Sequence, residues 1–206
     1  MTRTGRPREF DEAAVLDTAM RLFWRHGYER TAIGDLVEAT GVLRGSLYAA
    51  FGDKRGLFLA ALAHYRQGWL GLLAPLAEGP VLPGLKAMIL QAVHAAATPG
   101  GCGCLVGNTI GEGLVEDPEI QRAVAGTIEA VLGTLAAALG RGQAGGEVAA
   151  TRRPEAQAVM VLAALQGALL LARAGQAETA LAAAVDAALD GLRAAPAHGP
   201  AAPGEA

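Results

Sequence analysis

Apolar residues recur along this chain at helical spacing, and short segments containing glycine or proline interrupt the pattern. The first repeat places four residues on one helical face: Val15, Ala19, Leu22 and Phe23. Asp11 precedes this face as a suitable N-cap, with Phe10 and Val15 at the positions of a hydrophobic staple, and Gly27 follows it. The pattern therefore predicts a helix that begins at Asp11 and ends at Gly27.

The same periodicity predicts about nine helices. They span about residues 11–26, 31–40, 43–51, 53–73, 83–97, 104–115, 117–139, 154–174 and 178–194. Thr31 and Asp53 are N-cap candidates, and Pro118 suits the first position of its helix. The glycine-rich segment 141–151 predicts a mobile loop, and the tail 195–206, rich in proline, glycine and alanine, is predicted to be disordered.

Composition favours an all-α fold. Of the 206 residues, 52% are hydrophobic but only 4% are aromatic, so alanine, leucine and valine must fill most of the core. Alanine and leucine favour helices, and the sequence lacks the runs of β-branched and aromatic residues that are typical of strands. The chain is long enough for one sizeable core, or for a small domain beside a larger one.

Charge is distributed unevenly along the chain. Residues 1–55 carry a net charge of +1, and residues 56–206 carry −4. Three arginines precede the first acidic residue: Arg3, Arg6 and Arg8. The sequence therefore predicts a short basic arm on a near-neutral domain, followed by an acidic body.

Cysteine usage and hydropathy bear on the compartment. Cys102 and Cys104 are one residue apart and do not form a secretory disulfide framework. No signal peptide is visible at the N-terminus. The most apolar run, 156–172, has 17 residues, fewer than the roughly 20 that span a bilayer. We expect a cytoplasmic protein without membrane contact.

Two predicted short helices, joined by a turn at Gly41, fit a helix-turn-helix. On a helical wheel, the second helix buries Leu43, Leu47, Ala50 and Phe51. Its opposite face presents Arg44, Gly45, Tyr48 and Ala49. A solvated face normally carries glutamate, lysine and glutamine, whereas small residues beside an arginine and a tyrosine let the backbone approach a partner. The alternative is that Arg44 and Tyr48 are ordinary surface residues.

DNA is a partner that suits this face. In a major groove, Arg44 can pair with guanine while the Tyr48 hydroxyl reaches a phosphate. The helix that Asp53 caps can present its first amides and Lys54 to a second phosphate, and Thr31 at another predicted helix start can do the same. These residues make the N-terminal third a candidate DNA-binding domain.

The stretch 31–58, TAIGDLVEATGVLRGSLYAAFGDKRGLF, resembles the DNA-binding signature of the TetR/AcrR family of bacterial transcriptional regulators. The preceding LFWRHGYERT resembles it as well, and the likeness covers about residues 10–60. Leu43 departs from the family pattern, which often has a small polar residue there. By motif position, the resemblance implies that the DNA-contacting residues include Thr31, Arg44, Gly45, Ser46, Tyr48 and Lys54.

The resemblance also implies a domain organisation and partners. We expect a DNA-binding domain at 1–52, a ligand-binding and dimerisation domain at 53–194, and a tail at 195–206. A repressor of this kind is a homodimer that a small-molecule effector releases from a palindromic double-stranded DNA operator. Arg6, in the basic arm, can enter a narrow minor groove, although a solvated tail is an equal alternative.

The helix predicted at 154–174 is apolar nearly all round, and the helix at 178–194 adds a further apolar face, which predicts a four-helix dimer interface. The interface candidates are Met160, Leu165, Leu169, Leu181, Val185 and Leu189. An intramolecular core is the alternative. In the ligand-binding domain, seven residues stand out from aliphatic surroundings as pocket candidates: His64, Tyr65, Trp69, Met88, His94, Asn108 and Glu112.

The segment 99–113, PGGCGCLVGNTIGEG, resembles a segment of one group of these regulators, some of which sense electrophiles or oxidants through a cysteine. Three interpretations of Cys104 follow. It is a buried core residue, a reactive sensor with Cys102 as its resolving thiol, or a metal ligand together with Cys102 and His94.

The leading prediction is a regulator that is not an enzyme and holds no cofactor or metal. One alternative is a small thiol enzyme that uses Cys104 with His94 or His64 as its base. Another is a helical dimerisation module that does not bind DNA specifically.

Overall fold

The computed structural model describes residues 10–194, so the basic arm with Arg6 and the tail at 195–206 lie outside the described residues. Within that range the chain folds into nine α-helices, and the only β-type pairing is an isolated bridge between Val148 and Arg193. The helices are α1 Glu12–His26, α2 Ile33–Thr40, α3 Arg44–Phe51, α4 Lys54–Leu73, α5 Val81–Ala97, α6 Leu105–Gly111, α7 Pro118–Ala144, α8 Pro154–Arg173 and α9 Glu178–Asp190. The predicted all-α fold is confirmed.

Several predicted helix ends are confirmed by their caps. The Asp11 carboxylate accepts hydrogen bonds from the amides of Ala13 and Ala14, and the Asp53 carboxylate accepts one from Gly56. Gly41 ends α2 with φ at 68°, a left-handed backbone that glycine adopts without steric cost. The turn between α2 and α3 therefore has the form that a helix-turn-helix requires.

Two predicted helix starts are wrong. Thr31 does not cap α2, because its hydroxyl donates to the Gly27 carbonyl at 2.7 Å and its side chain is buried. The cap residue is Ala32, whose amide donates to the Asp35 carboxylate at 2.8 Å. Helix α5 begins at Val81, two residues before Pro83, since proline is tolerated in a first turn whose amides have no intrahelical partner.

The predicted mobile loop at 141–151 is also wrong. Helix α7 continues to Ala144, and the rest of the segment is tied to its surroundings. Val148 is buried, and the Glu147 carboxylate accepts 2.7 Å hydrogen bonds from the amides of Val81 and Leu82. Glycine content alone did not reveal that this segment caps α5. Two other helices are shorter than predicted, α6 ending at Gly111 and α9 at Asp190.

Helix α4 is the element that both halves of the molecule share. It packs against α1 on one side and α7 on the other, while α7 packs against α8, and α5 against α8 and α9. The first turns of α4 contribute Phe58 to an aromatic cluster with Phe23 and Tyr28, at ring-centroid distances of 5.0 and 4.9 Å. Leu36 and Leu47 attach α2 and α3 to the same N-terminal core.

Helices α7 and α8 are each long and apolar enough, by length and composition alone, to cross a membrane. The predicted 17-residue run is part of a 20-residue helix. Core helices of helical domains meet the same criterion, and α7 and α8 pack against each other inside the body.

Five of the six predicted dimer-interface residues lie in the core of the single chain. The buried five are Leu165, Leu169, Leu181, Val185 and Leu189, each at most 5% exposed. They are covered because α9 packs on α5 and α8, so the intramolecular alternative is correct for them. Met160 is exposed, and so are Val159, Leu170 and Leu171, which leaves a different face of α8 uncovered.

An ion-pair cluster joins the first turn of α4 to the first turn of α7. Arg55 donates from Nε and Nη2 to the Asp117 carboxylate, both at 2.6 Å, and from Nη1 to Glu119 at 2.5 Å. These hydrogen bonds hold the pKa of Asp117 well below its ordinary value of 3.8, against the opposing effect of desolvation. The Asp117 carboxylate also caps α7 through the amides of Glu119 and Ile120.

We expect Asp117→Asn to lower stability in a pH-dependent way. A carboxylate whose folded pKa is depressed stabilises the protein above its ordinary pKa, and this contribution disappears as pH falls below that value. The variant, which keeps a cap but loses the charge, should have a lower urea midpoint than wild type at about pH 7, with the difference shrinking toward about pH 2. Asp190→Asn, at an exposed pair with Arg193, should shift the midpoint little at any pH. A difference that stays constant with pH would contradict the assignment.

Candidate nucleic-acid interface and thiol cluster

Helix α3 presents an outward face with little charge. Leu47 is buried and holds the helix on the N-terminal core, whereas Arg44, Gly45, Ser46 and Ala49 are exposed. Arg44 donates from Nε and Nη2 to the Tyr48 hydroxyl at 3.3 and 3.1 Å, and its guanidinium carbon lies 5.3 Å from the Tyr48 ring centroid. The two long polar side chains predicted for this face therefore lie together on it.

Leu43 corrects the predicted inward face of α3. It was expected to be buried with Leu47, but it is 75% exposed. The reason is that Leu43 is the N-cap and has an extended backbone, so the helical periodicity that places the later residues does not extend to it. The outward surface thus begins with an apolar side chain.

The N-terminus of α4 lies beside this surface. Lys54 occupies its first turn, with Nζ 4.3 Å from the Tyr28 ring centroid and 3.5 Å from the Glu29 carbonyl. Asp53 accepts from the amide of Gly56, as a cap does, and is itself exposed. Thr31 does not join this group because its side chain is only 1% exposed.

Asn108 and Glu112, two predicted ligand residues, instead connect α6 to the N-terminal helices. The Glu112 carboxylate accepts a 2.9 Å hydrogen bond from the Tyr28 amide. The Asn108 amide group donates to the Cys102 carbonyl at 3.1 Å and to the Trp24 carbonyl at 3.5 Å. Asn108 also accepts from Arg173 at 2.8 Å. These contacts fix the body against the end of α1.

Cys104 lies in a buried cluster of hydrogen-bond donors. Its side chain is 7% exposed, and three donors lie near its sulfur: the Gln166 amide at 3.2 Å, the Gly107 backbone amide at 3.4 Å and the Tyr65 hydroxyl at 3.5 Å. Burial, and secondarily the Cys104 thiol, raises the pKa of Tyr65 well above its ordinary value, so the phenol stays a donor.

The remaining predicted pocket residues are dispersed. Met88 is a buried core residue, His94 pairs with Glu178 at 3.0 Å on the surface, and His64 lies 4.0 Å from Asp17. None of these three side chains lines a cavity with Cys104 or with Trp69. Among residues 10–194, no group of three potential ligands is close enough to hold a metal ion.

A cleft in the described part of the chain lies where the two halves meet. This cleft of about 480 Å³ is enclosed by α1, α4, α5 and the loop 98–103, and Trp69 is the one predicted ligand residue that lines it. Cys102 lies at its edge and donates to the Gly100 carbonyl at 3.1 Å. A second cavity, of only about 30 Å³, lies between Tyr65, Trp69 and Cys104.

Sequence reasoning missed Trp24 and Arg25, which form one wall of the cleft. Both are on α1, which the sequence assigned entirely to DNA binding. The available signal was composition: the chain has two tryptophans, and one of them lies on a helix whose apolar face was already accounted for.

Two family models match this chain over the regions just described. Residues 15–61 match the bacterial regulatory proteins of the tetR family, and residues 81–188 match the tetracyclin repressor-like C-terminal domain. The chain belongs to the TetR family. The first match contains the outward face of α3 and Lys54, and the second contains Cys104 and the body helices.

Curated relatives of this TetR-family chain match it over part of their length. The HTH-type transcriptional repressor ComR of Escherichia coli (strain K12) is 59% identical over 61 residues, 30% of this chain and 29% of ComR. The uncharacterized HTH-type transcriptional regulator YezE of Bacillus subtilis (strain 168) is 36% identical over 121 residues, 57% of this chain and 62% of YezE. The chain thus matches less than two thirds of either relative.

A solved structure resembles the whole fold. It is a cysteine mutant of the TetR family transcriptional regulator CifR, complexed with 26-bp double-strand operator DNA. The TM-score is 0.78 at 31% identity, and the match covers 91% of this chain and all of the CifR chain. The TetR-family arrangement of an N-terminal helix-turn-helix on a helical body therefore extends over the described part of this chain.

We expect Gly27→Ala to disturb the contact between α6 and the end of α1. Gly27 has φ at 83°, and an added Cβ would lie 2.8 Å from a Glu112 carboxylate oxygen. Backbone strain of this kind costs about 1–3 kcal/mol, which a denaturant midpoint can detect. Gly34→Ala is the matched control, because its Cβ meets nothing within 4 Å.

A double variant separates the two causes. Glu112→Ala removes the carboxylate that the new Cβ would meet. In this background, the loss of stability caused by Gly27→Ala should be smaller, because only the backbone strain remains. The effects of the two changes on stability should therefore not be additive. Full additivity would show that the close approach of Gly27 to Glu112 has no energetic role.

Proposed function

We propose that this TetR-family protein is a transcriptional repressor that places α3 in the major groove of an operator. The outward face of α3 carries the proposal. It combines an exposed arginine and an adjacent tyrosine hydroxyl with glycine, serine and alanine, which allow the backbone to come close to the DNA. The neighbouring N-terminus of α4 supplies positive charge for the phosphate backbone.

Each exposed side chain has a proposed role. Arg44 exchanges its contact with Tyr48 for a guanine edge, and the Tyr48 hydroxyl then turns to a phosphate. Lys54 and the first amides of α4 bind a second phosphate. Leu43, exposed at the start of α3, suits the methyl group of a thymine. Gly45 and Ser46 face the groove, whereas the buried Thr31 is removed from the contact set.

We propose that the chain acts as a homodimer, so that two copies of α3 bind two half-sites. The uncovered face of α8 supports this arrangement. It is a stripe of exposed apolar and small residues: Val159, Met160, Ala163, Gly167, Leu170 and Leu171. An added Cβ at Gly167 would meet nothing within 4 Å, so a second helix can approach closely there.

Side-chain packing continues across the proposed domain boundary at residue 52. The first turns of α4 belong to the N-terminal core through Phe58, while later turns carry Tyr65 and Trp69 into the body. A movement of the body therefore reaches the DNA-binding helices through α4. This coupling is what release by an effector requires.

We further propose that modification of Cys104 releases the operator. The adjoining cavity of about 30 Å³ is too small for an adduct, so a modified sulfur must displace Tyr65 or Gln166. Tyr65 accepts from the Leu105 amide, and α6 in turn holds the Tyr28 amide through Glu112. The thiol-enzyme alternative lacks support, because the polar partners of Cys104 do not include His64 or His94.

Operator binding tests the role of Arg44. Loss of a bidentate base contact costs about 1–3 kcal/mol, so Arg44→Ala should bind about 5- to 150-fold more weakly at fixed salt. The measurement is footprinting and titration on DNA flanking the gene for this protein. Arg122→Ala is the control, since Arg122 is exposed on α7 and pairs only weakly with Glu119. Undiminished binding by Arg44→Ala would refute its role, and dimers that protect no DNA would favour the dimerisation-module alternative.

Quinone treatment of the protein–DNA complex tests the role of Cys104. The sulfur adds to a quinone ring carbon and the thiol proton passes to one quinone oxygen. The hydrogen on the attacked carbon then moves to the second oxygen, so that the ring becomes the hydroquinone adduct. We expect release in wild type and in Cys102→Ser, whose thiol lies outside the donor cluster. Release should be lost in Cys104→Ser. Release that persists in Cys104→Ser would exclude the cysteine mechanism.

A further inference from the structure

We propose that the cleft between α1, α4, α5 and the loop 98–103 is an effector site for organic anions with an aromatic body. The regulatory role of the ligand rests on the proposed function, whereas binding of the ligand in the cleft does not depend on DNA. At about 480 Å³ the cleft has the size of small-molecule sites, whereas the cavity beside Cys104 holds only about 30 Å³.

The polar groups around the cleft are donors rather than carboxylates. Two arginines from consecutive turns of α1 line it, and no aspartate or glutamate does. Arg21 is already compensated by Asp17, at 2.8 Å. Arg25 reaches the loop at Gly100 and makes no hydrogen bond or ion pair within residues 10–194. The cleft thus has one uncompensated positive charge, which favours an anionic ligand.

A second observation points to an acceptor on the ligand. Trp24 lines the cleft, and its indole nitrogen is buried without a hydrogen-bond partner in the described part of the chain. A buried donor without an acceptor costs free energy, which a ligand oxygen would recover. Trp24 and Arg25 both line the cleft, so a turn of the indole toward the cleft would let one carboxylate, sulfonate or phenolate group accept from both side chains.

Much of the remaining wall is apolar and aromatic. Trp69 and Leu72 from α4, Met20 from α1 and Leu169 from α8 line the cleft. Trp69 also borders the small cavity beside Cys104, and the Trp24 ring packs edge-on against Tyr65 at 5.2 Å. A flat ring that contacts both tryptophans would therefore press on the same tyrosine that contacts the thiol.

The position of the cleft explains how a ligand would act. One wall is α1, which carries the N-terminal core, and the opposite walls belong to the body. A ligand that bridges them stabilises one relative arrangement of the two halves. Binding and operator affinity are then coupled whenever that arrangement differs from the DNA-bound one.

A matched pair of fluorescent probes tests the site. Anilinonaphthalene sulfonate is an aromatic anion, and N-phenylnaphthylamine has the same rings without the charge. Both tryptophans of the chain line the cleft, so energy transfer from tryptophan reports a probe bound in their neighbourhood, and variants of the cleft then locate it. We expect the sulfonate to bind the free protein about tenfold more tightly than the neutral probe, because only the anion gains a charge-assisted hydrogen bond.

Variants locate the binding. Arg25→Met should weaken sulfonate binding about tenfold and leave the neutral probe unchanged, whereas Arg122→Met, a remote exposed arginine, should affect neither probe. Gly68→Leu from α4 and Ala92→Leu from α5 fill the cleft from opposite walls and should block both probes. A Cβ at Gly68 meets nothing within 4 Å, and leucine favours the helix, so this variant should fold.

Each outcome decides the proposal. Equal affinities for the two probes, full sulfonate binding by Arg25→Met, or full binding by both filled variants would overturn the site. Sulfonate binding that leaves operator affinity unchanged would overturn its role as an effector site. A free protein that binds no operator at all would contradict the proposed function instead, and the probe titrations would still decide the ligand class.

Discussion

Burial of α4 on two sides is the constraint on which the rest of this structure depends. Its first turns pack Phe58 against Phe23 and Tyr28, and its later turns carry Tyr65 and Trp69 toward the body. A helix held in two cores cannot shift in one without disturbing the other, because protein interiors are close-packed. The DNA-binding face and the body are therefore mechanically joined, although they are distinct in sequence.

Polar contacts supplement this packing at the junction. Arg55 joins α4 to Asp117 at the start of α7, and Glu112 joins α6 to the amide of Tyr28. Such contacts have directional geometry and little apolar area, so small displacements can exchange them for water. The junction thus combines a rigid apolar axis with polar contacts that are easier to rearrange, a combination suited to switching.

The thiol and one wall of the cleft both contact Tyr65. The Tyr65 hydroxyl lies 3.5 Å from the Cys104 sulfur, and Trp24, which lines the cleft, packs edge-on against the Tyr65 ring. Two chemically different signals, covalent modification and reversible binding of an anion, would then act on a shared element. Cys104 is thus both a buried core residue and the centre of a cluster of hydrogen-bond donors.

The sequence by itself determined the all-α fold, most helix caps and the motif that identifies the TetR family, because these depend on local spacing. It predicted that Arg44 and Tyr48 share a helix face, since four residues are one helical turn. Only the tertiary structure decided that Leu165 and its neighbours are covered by α9 and that Asn108 and Glu112 connect the two halves. The tertiary structure also decided that α1 forms one wall of the cleft. An apolar pattern indicates that a helix face must be covered, but it does not indicate which helix covers it. The covering helix is determined by contacts between residues that are far apart in the chain.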